Sequence, residues 1–303
     1  MEDYPKSMME LEKRFSSANE CRKYLFDLRW PDGYICPRCG NSNKWGMSNG
    51  LMLCKVCRHQ QSVLAGTIFQ NTHMPLPMWF RAMWHVCAHK NGISALALQR
   101  DLTLPSYNTA WLCLHKLRRA MVRPGRERLS GELEVDEAYV GGAREGKRGR
   151  GAFGKKIVFV AVECKRGAIG RIRLACIPDV SGATLKQTVE AYIESGSIVR
   201  TDGWSGYSGL AEASYSHERV NAVPEELAEV TLPKCHLVIS LLKRWILGTM
   251  QGNVGGDHLQ DYLNEFTFRF NRRTSLSRGK LFHRLAELSV VTAPNDRSKI
   301  VPH

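Results

Sequence analysis

At 303 residues, 43% of them hydrophobic, the chain is long enough for two or three compact modules. No run approaches the ~20 apolar residues of a membrane span, and the N-terminus lacks the apolar core of a signal peptide, so neither a membrane protein nor an exported one is expected and the cytoplasm is. Lys and Arg number 43 against 29 Asp and Glu, a formal charge of +14, which points to a polyanionic partner, most often nucleic acid.

Residues 1–30 read as helical around ANECRKYLFDLRW. Residues 31–72 are rich in Gly, Asn, Ser and Cys and carry two CxxC pairs, Cys36-Pro-Arg-Cys39 and Cys54-Lys-Val-Cys57, with fourteen residues between them. Each pair bends the chain so that two thiolates converge, and two such knuckles complete a closed tetrahedral site for structural Zn²⁺. A piece this small lacks a sufficient core of its own, so the ion would hold it together. The remaining cysteines, Cys21, Cys87, Cys113, Cys164, Cys176 and Cys235, lie in apolar or periodic stretches and read as small core residues.

Helical patterns follow at about 75–90, 93–101 and 106–121, a segment taken as 73–124. Ile93, Leu96, Ala97 and Leu102 share one face; Pro105 interrupts, and Ser106 can cap a new helix with Ala110, Leu114 and Leu117 inside. Tyr107, Asn108 and Thr109 then occupy the first turn, where a recognition helix meets bases, and Lys116, Arg118 and Arg119 make a basic far end. A DNA-binding helix-turn-helix and an ordinary packed helix pair both fit.

After the linker VRPGRERLSGE, the stretch GELEVDEAYVGG reads as a strand at 132–140 with Glu132, Glu134 and Asp136 on one face. Such a row is either the wet face of an edge strand or part of a metal site. Further strands are expected near 156–164 and 170–178, then a helix over ATLKQTVEAYIES and a strand in SIVRTDGW. Asp202 follows that last strand, where open sheets place ligands, with Trp204 and Tyr207 as possible cleft walls. Two carboxylates on adjacent strands make a platform for two Mg²⁺ or Mn²⁺ ions. Arg144, Lys147, Arg148, Arg150, Lys155 and Lys156 lie nearby in sequence and would hold phosphates. Residues 208–232 read as irregular, and helices are expected near 235–249 and 256–272.

The ordered set LEVDEAYVGG, VRTDGWSGY, HLVISLLKRWILGT and HLQDYLNEFTFRFNRR, behind a CxxC…CxxC ribbon, resembles bacterial insertion-sequence transposases: the zinc-ribbon branch of the DDE class, related to the Merlin elements. The resemblance spans about 20–285. It implies an α/β, ribonuclease H-like catalytic domain, taken as 131–285 with a tail at 286–303, and metal-dependent cutting and joining of double-stranded DNA at the element's terminal inverted repeats. A homodimer or higher oligomer on nucleoid-associated DNA is expected with it. Asp136 and Asp202 match the first two catalytic carboxylates of the family. The third acidic position falls on His236, 34 residues beyond Asp202, followed two turns later by Lys243 and its neighbour Arg244 as DNA contacts. Glu265 is the competing third ligand: it has the better chemistry for Mg²⁺ but lies 63 residues beyond Asp202. Two other functions fit part of the pattern. One is a DNA-binding regulator with an inactive catalytic domain, against which the two aspartates argue. The other is a structure-selective nuclease, which would cut without joining.

Overall fold

The computed structural model describes residues 3–47, 50–123, 125–141, 155–220, 232–252, 254, 256–295 and 300. The chain divides into two compact units, one of residues 1–123 with 274–303, the other of residues 124–273. Among the described residues no helix is long and apolar enough to cross a membrane.

The first unit opens with α1 (Met8–Arg14) and α2 (Ala18–Arg29). Ser17 and Glu20 form a reciprocal capping box at the start of α2, satisfying N–H groups that helix geometry leaves unpaired. A three-stranded antiparallel ribbon follows: β1 (Lys44–Gly46), β2 (Leu51–Cys54) and β3 (Gln60–Ser62), in that order. Then come α3 (Leu76–Ala88), α4 (Ala95–Asp101) and α5 (Tyr107–Ala120), close to the three expected helical patterns. Ser106 caps α5 as its side chain accepts from Thr109 N–H, and Thr103 takes the left-handed φ of +49° in the turn before it.

The sequence reading needs correction at the C-terminal end. Residues 278–291, divided there between catalytic domain and tail, form α9 (Arg278–Val291), which belongs to the first unit and packs on α2, α3 and α5. Phe282 stands 5.6 Å from Phe80 between ring centroids, and the Tyr24 hydroxyl is 2.6 Å from His283 Nδ1. The apolar stripe of α9 is thus buried by partners some 200 residues earlier, which no local pattern reveals.

The second unit is built on a five-stranded sheet. Its strands are β4 (Glu132–Val140), β5 (Lys156–Lys165), β6 (Ala168–Ile177), β7 (Ile198–Thr201) and β8 (Ser216–Arg219), in the order β6-β5-β4-β7-β8. The first three strands pair antiparallel as a meander; α6 (Gly182–Tyr192) then carries the chain across to β7, which pairs parallel with β4 and with β8. This is the ribonuclease H-like arrangement. β8 lies within the stretch expected to be irregular; its four residues alternate too weakly to signal a strand.

Strand periodicity sends side chains to two cores. Leu133, Val135, Phe159, Ala161 and Val199 face α6 and the 3₁₀ segment Ser205–Ala213. Ala138, Val140, Val158, Val160 and Val162 face α7 (Pro233–Met250) and α8 (Leu259–Phe270). On α7 the stripe Cys235, Val238, Leu242, Trp245 and Ile246 is buried, as its near-3.6 spacing requires. The edge strand β6 is covered by side chains rather than left open: Cys176 N–H donates to Gln260, and Ile172 exchanges two hydrogen bonds with the Asn271 amide.

Candidate active site and zinc centre

The four paired cysteines converge. Cys36 Sγ is 3.6 Å from Cys57 Sγ, Cys39 Sγ is 3.6 Å from Cys54 Sγ, and all four sulfurs lie within 4.8 Å of one another. A tetrahedron with metal–sulfur bonds of about 2.3 Å has edges of about 3.8 Å, so the cluster fits Zn²⁺ with no coordination place left over. Burial by itself would raise the Cys36 thiol, but the backbone N–H groups of Arg38 and Cys39 outweigh it and hold the group down at about 6. Cys36 is thus held toward the thiolate that zinc needs, whereas Cys39 of the same knuckle, lowered by the Asn41 N–H but raised more by the neighbouring cysteine sulfurs and burial, is pushed up to about 12. Purified protein is expected to carry one Zn²⁺ per chain by elemental analysis. Cys39→Ser should lose most of it and expose the ribbon to proteolysis, and a ribbon that stays protected without zinc would contradict the structural role.

Each carboxylate of β4 has its own destination. Glu132 lies 3.3 Å from the Arg200 guanidinium at the exposed start of the strand. Glu134 is buried, and its Oε2 accepts the N–H groups of Lys234 at 2.7 Å and Cys235 at 2.8 Å, with Lys234 Nζ 3.8 Å from Oε1. It thus caps the N-terminus of α7 from a neighbouring strand, where unpaired N–H groups and the helix dipole favour an anion. Glu137 points to the other face and accepts the Tyr207 hydroxyl. Tyr207 is fully buried, and burial followed by the Glu137 charge keeps it protonated well above the ordinary tyrosine range. It is a support beneath the strand rather than the cleft wall expected; Trp204 instead anchors its ring N–H on Val180 O at 3.1 Å.

Asp136 remains. Its Oδ1 accepts the Glu137 N–H at 2.8 Å, and its Oδ2 faces His236 Nε2 at 3.5 Å. β4 and β7 pair in the register Glu132↔Ile198, Leu133↔Val199, Glu134↔Arg200; Asp136 lies two residues past the last pair on β4, and Asp202 two residues past it on the other side, just beyond the end of β7. Asp202 Oδ1 in turn accepts the Trp204 N–H at 3.1 Å. Each aspartate is therefore steadied through one oxygen by a nearby backbone N–H. Asp136 and His236 are close but long for a hydrogen bond. Neighbouring ligands of an octahedral ion sit about 3 Å apart, so a small closure would let both serve one cation. Carboxylate oxygens suit Mg²⁺ and Mn²⁺ alike, and an imidazole beside them favours Mn²⁺.

His236, Ser240 and Lys243 lie on the outer side of α7, opposite its buried stripe, and Arg244 is exposed beside them. Lys243 is two turns from His236, about 10 Å along the helix axis. Glu265 is fully buried in α8, with Arg269 3.6 Å away. Arg144, Lys147, Arg148 and Arg150 fall outside the described residues. Lys155 precedes β5 and Lys156 begins it, and Lys156 pairs with Val140, four residues and about 14 Å along β4 from Asp136. In α5, Tyr107 and Asn108 are exposed in the first turn, as expected. Arg118 departs from its expected role: it is 2% exposed, with Nη1 3.4 Å from His115 Nε2. It follows Leu114 by four residues and so falls on the buried stripe of the helix. Arg119 is half-buried with Nη1 3.4 Å from Asn295 Oδ1, and Lys116 is half-buried as well.

Residues 128–271 match the ISXO2-like transposase domain of IS1595, and residues 16–60 match the transposase zinc-ribbon domain of the same group. The chain belongs to the IS1595 family of insertion-sequence transposases. The transposase is similar to an uncharacterized protein in transposable element ISH50 of Halobacterium salinarum: 26% identical over 277 residues, covering 85% of this chain and 92% of that one. Among solved structures, the catalytic core domain of BIV integrase matches with a TM-score of 0.28 and 16% identity, over 45% of this chain and 81% of that one. Both cysteine pairs fall within the matched ribbon, and Asp136, Asp202, His236, Lys243 and Glu265 all fall within the matched transposase domain. The sequence read Tyr207 as a cleft wall and Glu134 only as one of a row of carboxylates, because nothing local distinguishes a buried phenol or a helix-capping carboxylate from an exposed one.

Proposed function

We propose that this transposase binds double-stranded DNA at the terminal repeats of its element and cleaves and joins strands there with divalent metal ions held by Asp136, Asp202 and His236. The observation that supports the reading is the placement of the three: Asp136 on β4, Asp202 just past the end of the adjacent parallel strand β7, and His236 3.5 Å from Asp136. When bound, the ions would activate the attacking oxygen and offset charge on the phosphoryl group. The chain's own residues prepare the place. Backbone N–H groups fix both aspartates, Glu134 fixes the start of α7 and thereby His236, and Lys243 offers a cation two turns along for a flanking phosphate. Lys155 and Lys156, about 14 Å along the hairpin from Asp136, would meet phosphates away from the reacting one. Assembly as a homodimer or larger oligomer on DNA belongs to the same proposal.

The test uses duplexes bearing the repeats that flank the reading frame, incubated with Mg²⁺ or Mn²⁺. Cut and joined products support a transposase; cutting without joining would indicate a nuclease, and binding alone a regulator. In this assay His236→Ala is expected to remove most strand transfer and His236→Glu to retain some. Mn²⁺ should support the wild type better than Mg²⁺, since imidazole suits the softer ion. An active His236→Ala beside a dead Glu265→Gln would move the third ligand to Glu265.

A further inference from the structure

On the zinc ribbon two cations gather at one exposed indole. Between Asp32 and Glu127 the sequence has a single acidic residue, Asp101, and the ribbon itself, from Gly33 to His73, has none. Trp45 lies on β1, an edge strand, and is 47% exposed. Two cations flank its ring: Lys55 Nζ at 5.4 Å from the centroid and Arg58 Cζ at 5.2 Å. Both belong to the second knuckle, and both are exposed. Their backbones are held by the fold of the zinc site: Lys55 N–H donates to Asn43 O, and Arg58 N–H donates to Cys54 O with Arg58 in the left-handed region at φ +57°. Among the described residues no carboxylate pairs with either side chain.

An exposed indole between two cations could serve only to shelter its own ring. The composition argues for more. Cation–π contact at an exposed site contributes only about 0.5–1 kcal/mol, and the ribbon supplies no acid to offset two like charges gathered at one ring. The contact does restrict where the two long side chains reach, which lowers the entropy lost when an anion binds them. A duplex backbone presents anionic oxygens in series, which matches two cations set on one rigid turn.

We propose that Trp45, Lys55 and Arg58 form a contact with the phosphate backbone of double-stranded DNA, and that zinc supports it by fixing the knuckle. The inference rests on the transposase reading, which supplies DNA as the partner. The test measures affinity of the full chain for an element-end duplex across a salt series, comparing wild type with the Lys55→Gln, Arg58→Gln double variant. Each phosphate neutralised contributes about 0.9 to the slope of log K against log salt, so the double variant should be shallower by about 2. Trp45→Ala should weaken binding with a smaller change in slope. None of the three is a zinc ligand, so zinc content should stay that of wild type. The Lys55→Arg, Arg58→Lys variant should keep the wild-type slope, which separates charge from folding. A double variant that retains zinc and matches wild type in affinity and slope overturns the proposal while leaving the transposase reading intact. So does a charge-conserving variant as impaired as the double one. A wild-type protein that binds no duplex overturns both.

Discussion

Asp136→Asn, and separately Asp202→Asn, is expected to reduce cleavage of element-end DNA at least about a hundredfold, in line with the loss of a single electrostatic catalytic group. The amide has nearly the shape of the carboxylate and can still accept the backbone N–H that steadies each aspartate, from Glu137 at 2.8 Å and from Trp204 at 3.1 Å. What it lacks is the anionic oxygen that a hard divalent cation requires. Fold and DNA affinity should therefore stay close to wild type. End-labelled duplex cleavage and a gel-shift titration on the same preparations would check both halves. Either variant cutting at more than about a hundredth of the wild-type rate would remove that carboxylate from the metal site.

Glu134→Ala should be the most damaging change outside the proposed metal ligands. It leaves two N–H groups at the start of α7 without their acceptor in a buried place, each costing about 1–3 kcal/mol. A loss on the order of 3 kcal/mol corresponds to a fall in Tm of roughly 6–12 °C for a unit of about 150 residues. The first turn of α7 carries His236, so its drift from Asp136 should lower cleavage beyond what reduced stability explains, measured well below the new Tm. Glu134→Gln keeps an acceptor oxygen and should recover most of the stability and part of the rate. An alanine variant with wild-type Tm and wild-type cleavage would show that the cap is dispensable.

The parts legible in the sequence were those whose signal is local. Two CxxC pairs carry their chemistry in the spacing itself, because each knuckle bends on its own residues. The apolar alternation of IVFVAVEC and the 3.6 spacing along α5 and α7 report burial directly, since a side chain's face follows from its position in the element. Asp136 and Asp202 were singled out by the resemblance that LEVDEAYVGG and VRTDGWSGY carry, since the strand pattern alone left Asp136 open between a wet edge and a metal site.

What a carboxylate or a cation does once placed was decided by residues distant in the chain. Glu132, Glu134, Asp136 and Glu137 look alike along the strand, yet they meet Arg200, the start of α7 a hundred positions on, His236 and Tyr207 respectively. Arg118 read as part of a basic end and is buried instead. α9 read as catalytic domain and tail, and its partners in α2 and α3 come from the opposite end of the chain. The sequence by itself determined most of the elements, though not β8 or α9, and the spacing of the four cysteines, because hydrophobic period and ligand spacing act over a few residues. Only the tertiary structure decided which polar groups are satisfied and by whom. A buried charge is stable only against a specific partner, and that partner is brought near by the packing of the chain, not by its order.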